Sequence, residues 1–160
     1  MAIDYTKLLS QNHPEIELTC LGDASNYNNI TFIGGSIDQA TLDSEYLTYY
    51  KHQKNMLIDE KTKELILSGF TYDGVVFSTS ETAQRNWMAL DQFKGFHTYP
   101  VAVTADDDSE YTFPDSAEVQ TFVLTGMGAI NSHYASGRTL KLSVNAATDI
   151  AGVDAVADNR

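Results

Sequence analysis

Four carboxylates in one short stretch are the residues whose type and spacing come closest to a metal site. Asp106, Asp107, Asp108 and Glu110 could supply the oxygen ligands that Ca²⁺ prefers. An EF-hand loop, however, needs a glycine at its sharp turn and a glutamate at its distal end, and this segment has neither. The acidic segment also lies between two β-prone runs. We therefore predict a solvated hairpin turn, with no metal and no cofactor bound to the chain.

The histidines do not have the spacing of a catalytic or metal site. His13, His52, His97 and His133 fall in four different predicted segments. The chain also lacks the short motifs of serine hydrolases, zinc proteases, P-loop proteins and dinucleotide-binding proteins. We therefore do not expect an enzyme. A small hydrolase that uses the Asp106 cluster with His97 or His133 stays open as a minor alternative.

Composition restricts the class of partner. The chain has 160 residues and is 42% hydrophobic, which suits one domain or one compact piece with an extended arm. Ten Lys and Arg against 22 Asp and Glu give a net charge of −12, so a phosphate backbone is repelled and no nucleic-acid partner is expected. No stretch approaches eighteen apolar residues, so no membrane partner is expected either. Cys20 is the only cysteine, which excludes an internal disulfide.

A long helix is the element around which the rest of the chain is arranged. Ser36 and Gln39 have the spacing of a capping box, and neither Gly nor Pro follows before Gly69. We therefore predict a helix of roughly thirty residues over 36–68, well above the usual length. Bulky side chains recur at helical spacing on one face of it: Leu42, Tyr46, Tyr49, Tyr50, Gln53, Met56 and Leu57.

The tyrosines of this helix form the predicted interface. Tyr46, Tyr49 and Tyr50 cluster on one face with Gln53, and tyrosine combines a large apolar area with a polar tip. A helix of thirty residues spans about 45 Å, longer than a compact domain of this size needs. We therefore expect the half that carries the tyrosines to be covered by another chain. Packing of the same face in the chain's own core is an equally weighted alternative.

A hairpin directly follows the long helix. Gly69 suits the left-handed position just past the last helical residue. Asp73-Gly74 is a favoured centre for a two-residue type I′ turn, because both central residues need φ above zero. We therefore treat Gly69, Asp73 and Gly74 as structural turn residues.

The predicted elements alternate along the chain in the order helix, hairpin, long helix, hairpin, helix, hairpin, helices. This order indicates an α+β fold with a long central helix, three short antiparallel hairpins and a C-terminal helical part. Gly126 and Gly128 interrupt a predicted helix at a cost of roughly 1 kcal/mol each, so we expect another backbone to pack close to them. The predicted division is 1–35 for the N-terminal helix and hairpin, 36–68 for the connecting helix, and 69–160 for an α+β domain.

The central hairpin and its flanks resemble a domain that recurs in tail-fibre and tail-assembly proteins of tailed bacteriophages. The resemblance lies in residues 65–77, which include Gly69-Phe70 and Asp73-Gly74, and in Ser80, Ala83-Gln84 and Asn86 after them. In that family a long charged helix leads to a Gly-Phe-x-x-x-Gly hairpin, a Ser-Gln-x-Asn helix, a second hairpin and a helix with an arginine near its end.

Other parts of the chain extend this resemblance, with one departure. Arg138 would be the arginine of the closing helix, and residues 145–156 would follow it. The segment with Pro14, two short strands and Gly34-Gly35 is similar to small XkdW-like phage tail proteins. In the second hairpin the family has a tryptophan before an Asp-Gly turn, whereas this chain has residues 101–103 before three aspartates.

The resemblance implies a protein of the virion tail. We expect a structural or adaptor component of the baseplate or tail fibre that binds other phage tail proteins, with a homo-oligomer as a further option. A tail-fibre assembly chaperone is the alternative. The N-terminus has neither a basic region nor an apolar region of the kind found in secretion signals, so we expect synthesis in the host cytoplasm.

Overall fold

The computed structural model describes residues 3–160, which contain five α-helices, two short 3₁₀-helices and three two-stranded antiparallel sheets. The helices are α1 (Tyr5–Asn12), α2 (Gln39–Leu67), α3 (Glu81–Gln92), α4 (Ser116–Ala146) and α5 (Ile150–Asp154). The paired strands are β1 (Leu18–Cys20) with β2 (Ile30–Phe32), β3 (Phe70–Tyr72) with β4 (Val75–Phe77), and β5 (Val101–Thr104) with β6 (Glu110–Phe113). The predicted α+β class, with its long helix and three hairpins, is confirmed.

The described backbone divides into two compact units. The first unit contains residues up to Asn55 together with 144–159, and the second contains 56–143 together with Arg160. Met1 and Ala2, which belong to the predicted segment 1–35, lie outside the described residues. The sequence-based boundaries at 35 and 68 stay a prediction.

Helix α2 has 29 residues, but it begins three residues later than predicted. Its first turn is capped by Asp38, whose Oδ1 accepts the Thr41 N–H at 3.0 Å; the predicted cap at Ser36 is therefore wrong. The packing of Ile37 and Leu42 in the same apolar cluster explains why the helix is capped by Asp38 rather than by Ser36. An apolar pair on either side of the cap fixes the angle at which the chain enters the helix.

The buried face of α2 follows the predicted stripe only in the N-terminal half, where Leu42 and Tyr46 are buried. In the C-terminal half the predicted Met56 and Leu57 are exposed, and Ile58, Thr62 and Ile66 are buried in their place. Thr62 tolerates burial because its hydroxyl donates to the backbone oxygen of Ile58 at 2.7 Å, which satisfies the polar group within the helix. Sequence periodicity alone did not distinguish these two faces.

Residues with positive φ lie at the end of α2 and in the turn of the next hairpin. Gly69 has φ +86°, and its N–H donates to the oxygen of Ile66 at 3.3 Å. Asp73 and Gly74 have φ +48° and +78°, the left-handed pair that a type I′ turn needs. The strands pair up to the turn itself, where Tyr72 lies opposite Val75.

Phe122 of α4 is the centre of the core of the second unit. Its ring centroid lies between 4.8 and 5.5 Å from the rings of five other aromatic residues, most of them at steep angles, as edge-to-face packing requires. These partners come from β3, β4, α3 and β6: Phe70, Tyr72, Phe77, Trp87 and Phe113. One side chain therefore joins two hairpins to two helices.

Gly126 leaves space for two of these aromatic rings. A Cβ at Gly126 would lie 2.9 Å from Phe70 Cζ and 3.1 Å from Trp87 Cζ3. The close neighbours are thus side chains, and the predicted close approach of another backbone is wrong. At Gly128 no other atom would lie within 4 Å of a Cβ, so packing does not require a glycine there.

The core of the first unit is smaller and has more polar edges. Tyr5, Leu8 and Leu9 of α1 pack with Leu42 and Tyr46 of α2. The Tyr5 hydroxyl donates to Asp43 Oδ1 at 2.5 Å, which satisfies its polar end. Helix α1 is therefore held against the first turns of α2.

We predict that Gly69→Ala is much more destabilising than Gly74→Ala. Both substitutions put a side chain at positive φ, which costs about 1–2 kcal/mol. At Gly69 the Cβ would also lie 2.6 Å from the backbone oxygen of Phe77, whereas at Gly74 it meets open space. Urea unfolding followed by the fluorescence of Trp87 measures the difference, with Gly34→Ala as a near-neutral control. Equal losses at positions 69 and 74 would contradict the close approach at Gly69.

We predict opposite effects for the same substitution at two neighbouring glycines of α4. Gly128→Ala should stabilise by up to about 1 kcal/mol, because alanine is the better helix former and the site is open. Gly126→Ala should destabilise, since overpacking against Phe70 and Trp87 costs about 1–3 kcal/mol and exceeds that gain. Thermal melts of the two variants check the signs. A stabilised Gly126→Ala would show that the aromatic cluster is loosely packed.

Candidate interaction surfaces

The predicted tyrosine interface is divided between core and surface. Tyr46 is only 7% exposed and packs in the core of the first unit, so its side chain is not available to another chain. The prediction that Tyr46 contacts a partner is therefore corrected. Tyr49 is 44% exposed and Gln53 is exposed, while Tyr50 is half-buried. For these three residues the interface stays a prediction.

Hydrogen bonding restrains Tyr50. Its hydroxyl donates to Asp154 Oδ1 at 2.5 Å, and this hydrogen bond, followed by burial, raises its pKa. Its ring also stacks on that of Tyr46, with centroids 6.0 Å apart and planes at 17°. Burial is the main cause of the raised pKa of Tyr46. The hydroxyls of both tyrosines are therefore neutral at physiological pH, and Tyr50 already has a partner within its own unit.

Tyr49 borders a shallow groove of about 460 Å³ in the first unit. The groove is lined by Asn12, Ser44, Glu45, Thr48, Tyr49 and His52. Glu45 accepts a hydrogen bond from Asn12 Nδ2 at 3.0 Å, and its Oε1 lies 2.9 Å from His13 Nε2. The hydrogen bond from Asn12 is the main cause that lowers the pKa of Glu45. Glu45, the carboxylate of this groove, therefore already has hydrogen-bond partners within the first unit.

A larger groove of about 590 Å³ lies in the second unit, and we name it the α2–α4 groove. It is lined by residues within 59–67 of α2, 79–84 at the start of α3, and 134–141 of α4. Leu67 is 56% exposed and Tyr134 is 60% exposed, so the groove offers large apolar side chains to a ligand. Neither residue belongs to the predicted interface.

Several polar groups of the α2–α4 groove are bonded to other groups of the chain. The buried Thr79 hydroxyl donates to the backbone oxygen of Ile66, and Gln84 Nε2 donates to the Thr79 oxygen at 2.7 Å. The hydroxyl and the backbone oxygen of Thr79 therefore both have hydrogen-bond partners within the chain. Lys141 Nζ lies 2.6 Å from Asp59 Oδ1, while Arg138 is exposed along the same groove.

Arg160 holds a position that the sequence did not predict. Its Nη1 donates to Thr62 Oγ1 at 2.9 Å and to Ser136 Oγ at 3.2 Å, and its Nη2 donates to the Ile58 oxygen at 3.3 Å. A Cβ at Gly137 would lie 2.5 Å from Thr62 Oγ1 and 3.0 Å from Arg160 Nη1. The absence of a side chain at Gly137 therefore makes room for the arginine. A larger residue at this position of α4 would clash with Thr62 and Arg160.

The acidic stretch forms a turn. Asp107 Oδ1 accepts hydrogen bonds from the Ser109 N–H at 3.0 Å and from its hydroxyl at 2.6 Å, and these bonds lower the pKa of Asp107. Across residues 3–160, no group of three or more His, Cys, Asp or Glu side chains is placed to hold a metal ion. Within the same range, no hydrogen bond or ion pair joins the Asp106 cluster to His97 or His133.

Comparison of the chain with protein-family models, with curated proteins and with solved structures finds no match. The resemblance to phage tail proteins therefore depends on the motif residues around Gly69-Phe70 and Ser80, and it stays a prediction. Among the helices of the described residues, none has both the length and the apolar character needed to cross a membrane.

We predict that the tyrosines of α2 respond unequally to substitution. Tyr46→Ser should lower the free energy of unfolding by about 3 kcal/mol, because it leaves a cavity in the core. Tyr49→Ser, at a residue that is nearly half exposed, should cost less than about 1 kcal/mol. Chemical unfolding followed by far-UV circular dichroism gives both values. A Tyr46→Ser variant as stable as the parent would return Tyr46 to the list of interface candidates.

Proposed function

We propose that the chain is a structural or adaptor component of a bacteriophage tail, in the baseplate or tail fibre. It works by binding other tail proteins, without catalysis. The phage assignment is supported by the resemblance of residues 65–86 to tail-fibre and tail-assembly proteins. The mode of action is supported by the α2–α4 groove.

The observation that carries the binding function is the exposure of apolar side chains along this groove. Leu67 and Tyr134 are both more than half exposed, beside the buried Ile66. Exposed apolar area with a polar rim is typical of protein–protein interaction sites, because its burial releases water from the apolar surface. The groove also has Lys63, Arg138 and Lys141 among its lining residues.

These cations favour a particular kind of partner surface. The chain has only ten Lys and Arg in total and a net charge of −12. The groove lining has three cations against two carboxylates, Asp59 and Glu81, and Asp59 is paired with Lys141 at 2.6 Å. Lys63 and Arg138 are therefore the cations that remain for a partner. A partner segment that combines apolar side chains with one or two carboxylates would complement them. A polyanion such as DNA would be repelled by the rest of the chain.

We predict that the parent chain is present in purified virions at a fixed copy number and that a groove variant is not. The variant Leu67→Ser with Tyr134→Ser removes the exposed apolar area at two positions that contribute little to the core. Quantitative mass spectrometry of particles should give at least a tenfold loss of the variant, equivalent to about 1.4 kcal/mol of binding energy. Leu21→Ser with Ile33→Ser is the matched control, since both residues are exposed and lie in the first unit.

Each of the other outcomes has a definite meaning. A parent chain that is absent from particles but copurifies with unassembled fibre protein would replace the proposal by the assembly chaperone. A groove variant that is retained at the parent's copy number would show that tail proteins bind elsewhere on the chain.

A further inference from the structure

The β5–β6 sheet has two strands, so along Val101–Thr104 one edge of β5 has no strand paired with it. The Ala105 N–H donates to the Ser109 oxygen at 2.8 Å, next to the hairpin loop. Residues along an antiparallel strand alternate between bonding to the partner strand and pointing away from it. Counting back by two from Ala105, Val103 and Val101 bond to β6. The backbone N–H and C=O groups of Ala102 and Thr104 therefore point to the open edge.

A groove of about 350 Å³ follows this edge. All four residues of β5 line it, from Val101 to Thr104. Side chains of consecutive strand residues point to opposite faces of a sheet, so a groove that touches all four runs along the edge rather than over one face. The opposite wall is one face of α3, with Ala83, Asn86, Trp87 and Leu90.

The outward groups of Ala102 and Thr104 are the open part of this edge, because the next outward N–H, that of Asp106, donates to the Val76 oxygen of β4 at 3.0 Å. No backbone or side-chain hydrogen bond in the part of the chain that the structure describes reaches the outward groups of Ala102 or Thr104. Natural sheets guard such edges with lysines, bulges or covering segments, because an open edge can pair with another strand. Residues 101–104 include no charged side chain. Along the groove, the side-chain amide of Asn86 is exposed and adds a further polar group.

Four acidic side chains lie near the end of β5 that carries Thr104. Asp106, Asp107, Asp108 and Glu110 follow β5 directly, and all four are exposed. None of them takes part in an ion pair among residues 3–160. A cationic side chain placed beside Thr104 would therefore gain attraction from several carboxylates without displacing a cation of this chain.

We propose that the open edge of β5 binds an extended segment of a partner protein by strand addition. The segment runs antiparallel to β5 and forms hydrogen bonds with Ala102 and Thr104. An apolar side chain of the segment packs against Ala83 and Leu90, the half-buried apolar residues of the α3 wall. A lysine or arginine at its N-terminal end lies beside the acidic turn. This site shares no lining residue with the α2–α4 groove and does not depend on the phage assignment.

The test uses a defined probe, the peptide acetyl-Lys-Lys-Val-Thr-Val-Thr-Ser-amide, with the full chain. Its controls are the same peptide with two glutamates in place of the lysines, the peptide in reversed order, and a form with N-methylated valines that cannot donate edge hydrogen bonds. We expect binding of the first peptide, measured by NMR titration, to be at least tenfold tighter than that of each control. Its affinity should also fall as salt is added.

Hydrogen exchange locates the bound peptide without any substitution. The amides of Ala102 and Thr104 should exchange more slowly in the complex, whereas those of Val101 and Val103 should change little, because β6 already protects them. Binding of the N-methylated peptide as tightly as the parent peptide would overturn the proposal. Absence of protection at Ala102 and Thr104, or absence of binding by any of the peptides, would do the same.

A pair of proline variants separates the two edges of the sheet. Ala102→Pro removes an outward N–H but no bond to β6, since proline is tolerated where the N–H of an edge strand faces solvent. Thr112→Pro is the matched control, because Thr112 lies opposite Ala102 and its N–H points to the other edge. We expect at least a tenfold loss of peptide affinity for Ala102→Pro and none for Thr112→Pro.

The double variant Asp106→Asn with Asp108→Asn, at two exposed residues, is a second test that applies even if Ala102→Pro fails to fold. We expect it to bind the lysine peptide more weakly than the parent chain does. Unchanged affinity of this double variant would exclude the acidic turn from the site.

Discussion

The packing of aromatic rings around Phe122 is the constraint on which the second unit depends. Five rings from four separate elements meet this side chain, and two of the rings, those of Phe70 and Tyr72, come from the same strand. Phe70 and Phe77 come together only if the strands pair in register, which the Asp73-Gly74 turn secures. Trp87 reaches the cluster because Ser80 caps α3 at its start. A change in any of these local features therefore affects the whole core of the unit.

The sequence was informative wherever a structure depends on neighbours in the chain. The left-handed glycine after α2 and the Asp-Gly hairpin have local causes, so the residues alone were enough to predict them. The start of α2 was misplaced because Ser36 and Asp38 can both cap a helix, and the choice depends on Ile37 packing with Leu42. Which face of a helix is buried depends on distant elements. Periodicity alone therefore did not separate Leu57 from its neighbour Ile58.

The candidate binding surfaces were harder to predict for the same reason. Tyrosines close together on one helix were visible in the sequence, but the burial of Tyr46 follows from contacts with α1. The α2–α4 groove brings together residues that are more than seventy positions apart, such as Asp59 and Lys141. No spacing rule connects such positions. Gly137 did carry a signal, because a glycine inside a helix has a cost, yet only the structure shows that Arg160 uses the space.

The two sites that we propose on the second unit would recognise a partner through different interactions. The α2–α4 groove offers side chains, so its selectivity depends on the shape and charge of a partner. The edge of β5 offers backbone groups that any extended segment could bond, and selectivity there must come from the α3 wall with Leu90 and from the acidic turn. The charges of the two sites differ in sign, because cations outnumber carboxylates by three to two along the groove and only carboxylates lie beside the edge. A chain with a net charge of −12 repels its own copies over most of its surface, so electrostatic attraction to an acidic partner is confined to places where cations gather. The opposite signs would therefore direct different partner segments to the two sites.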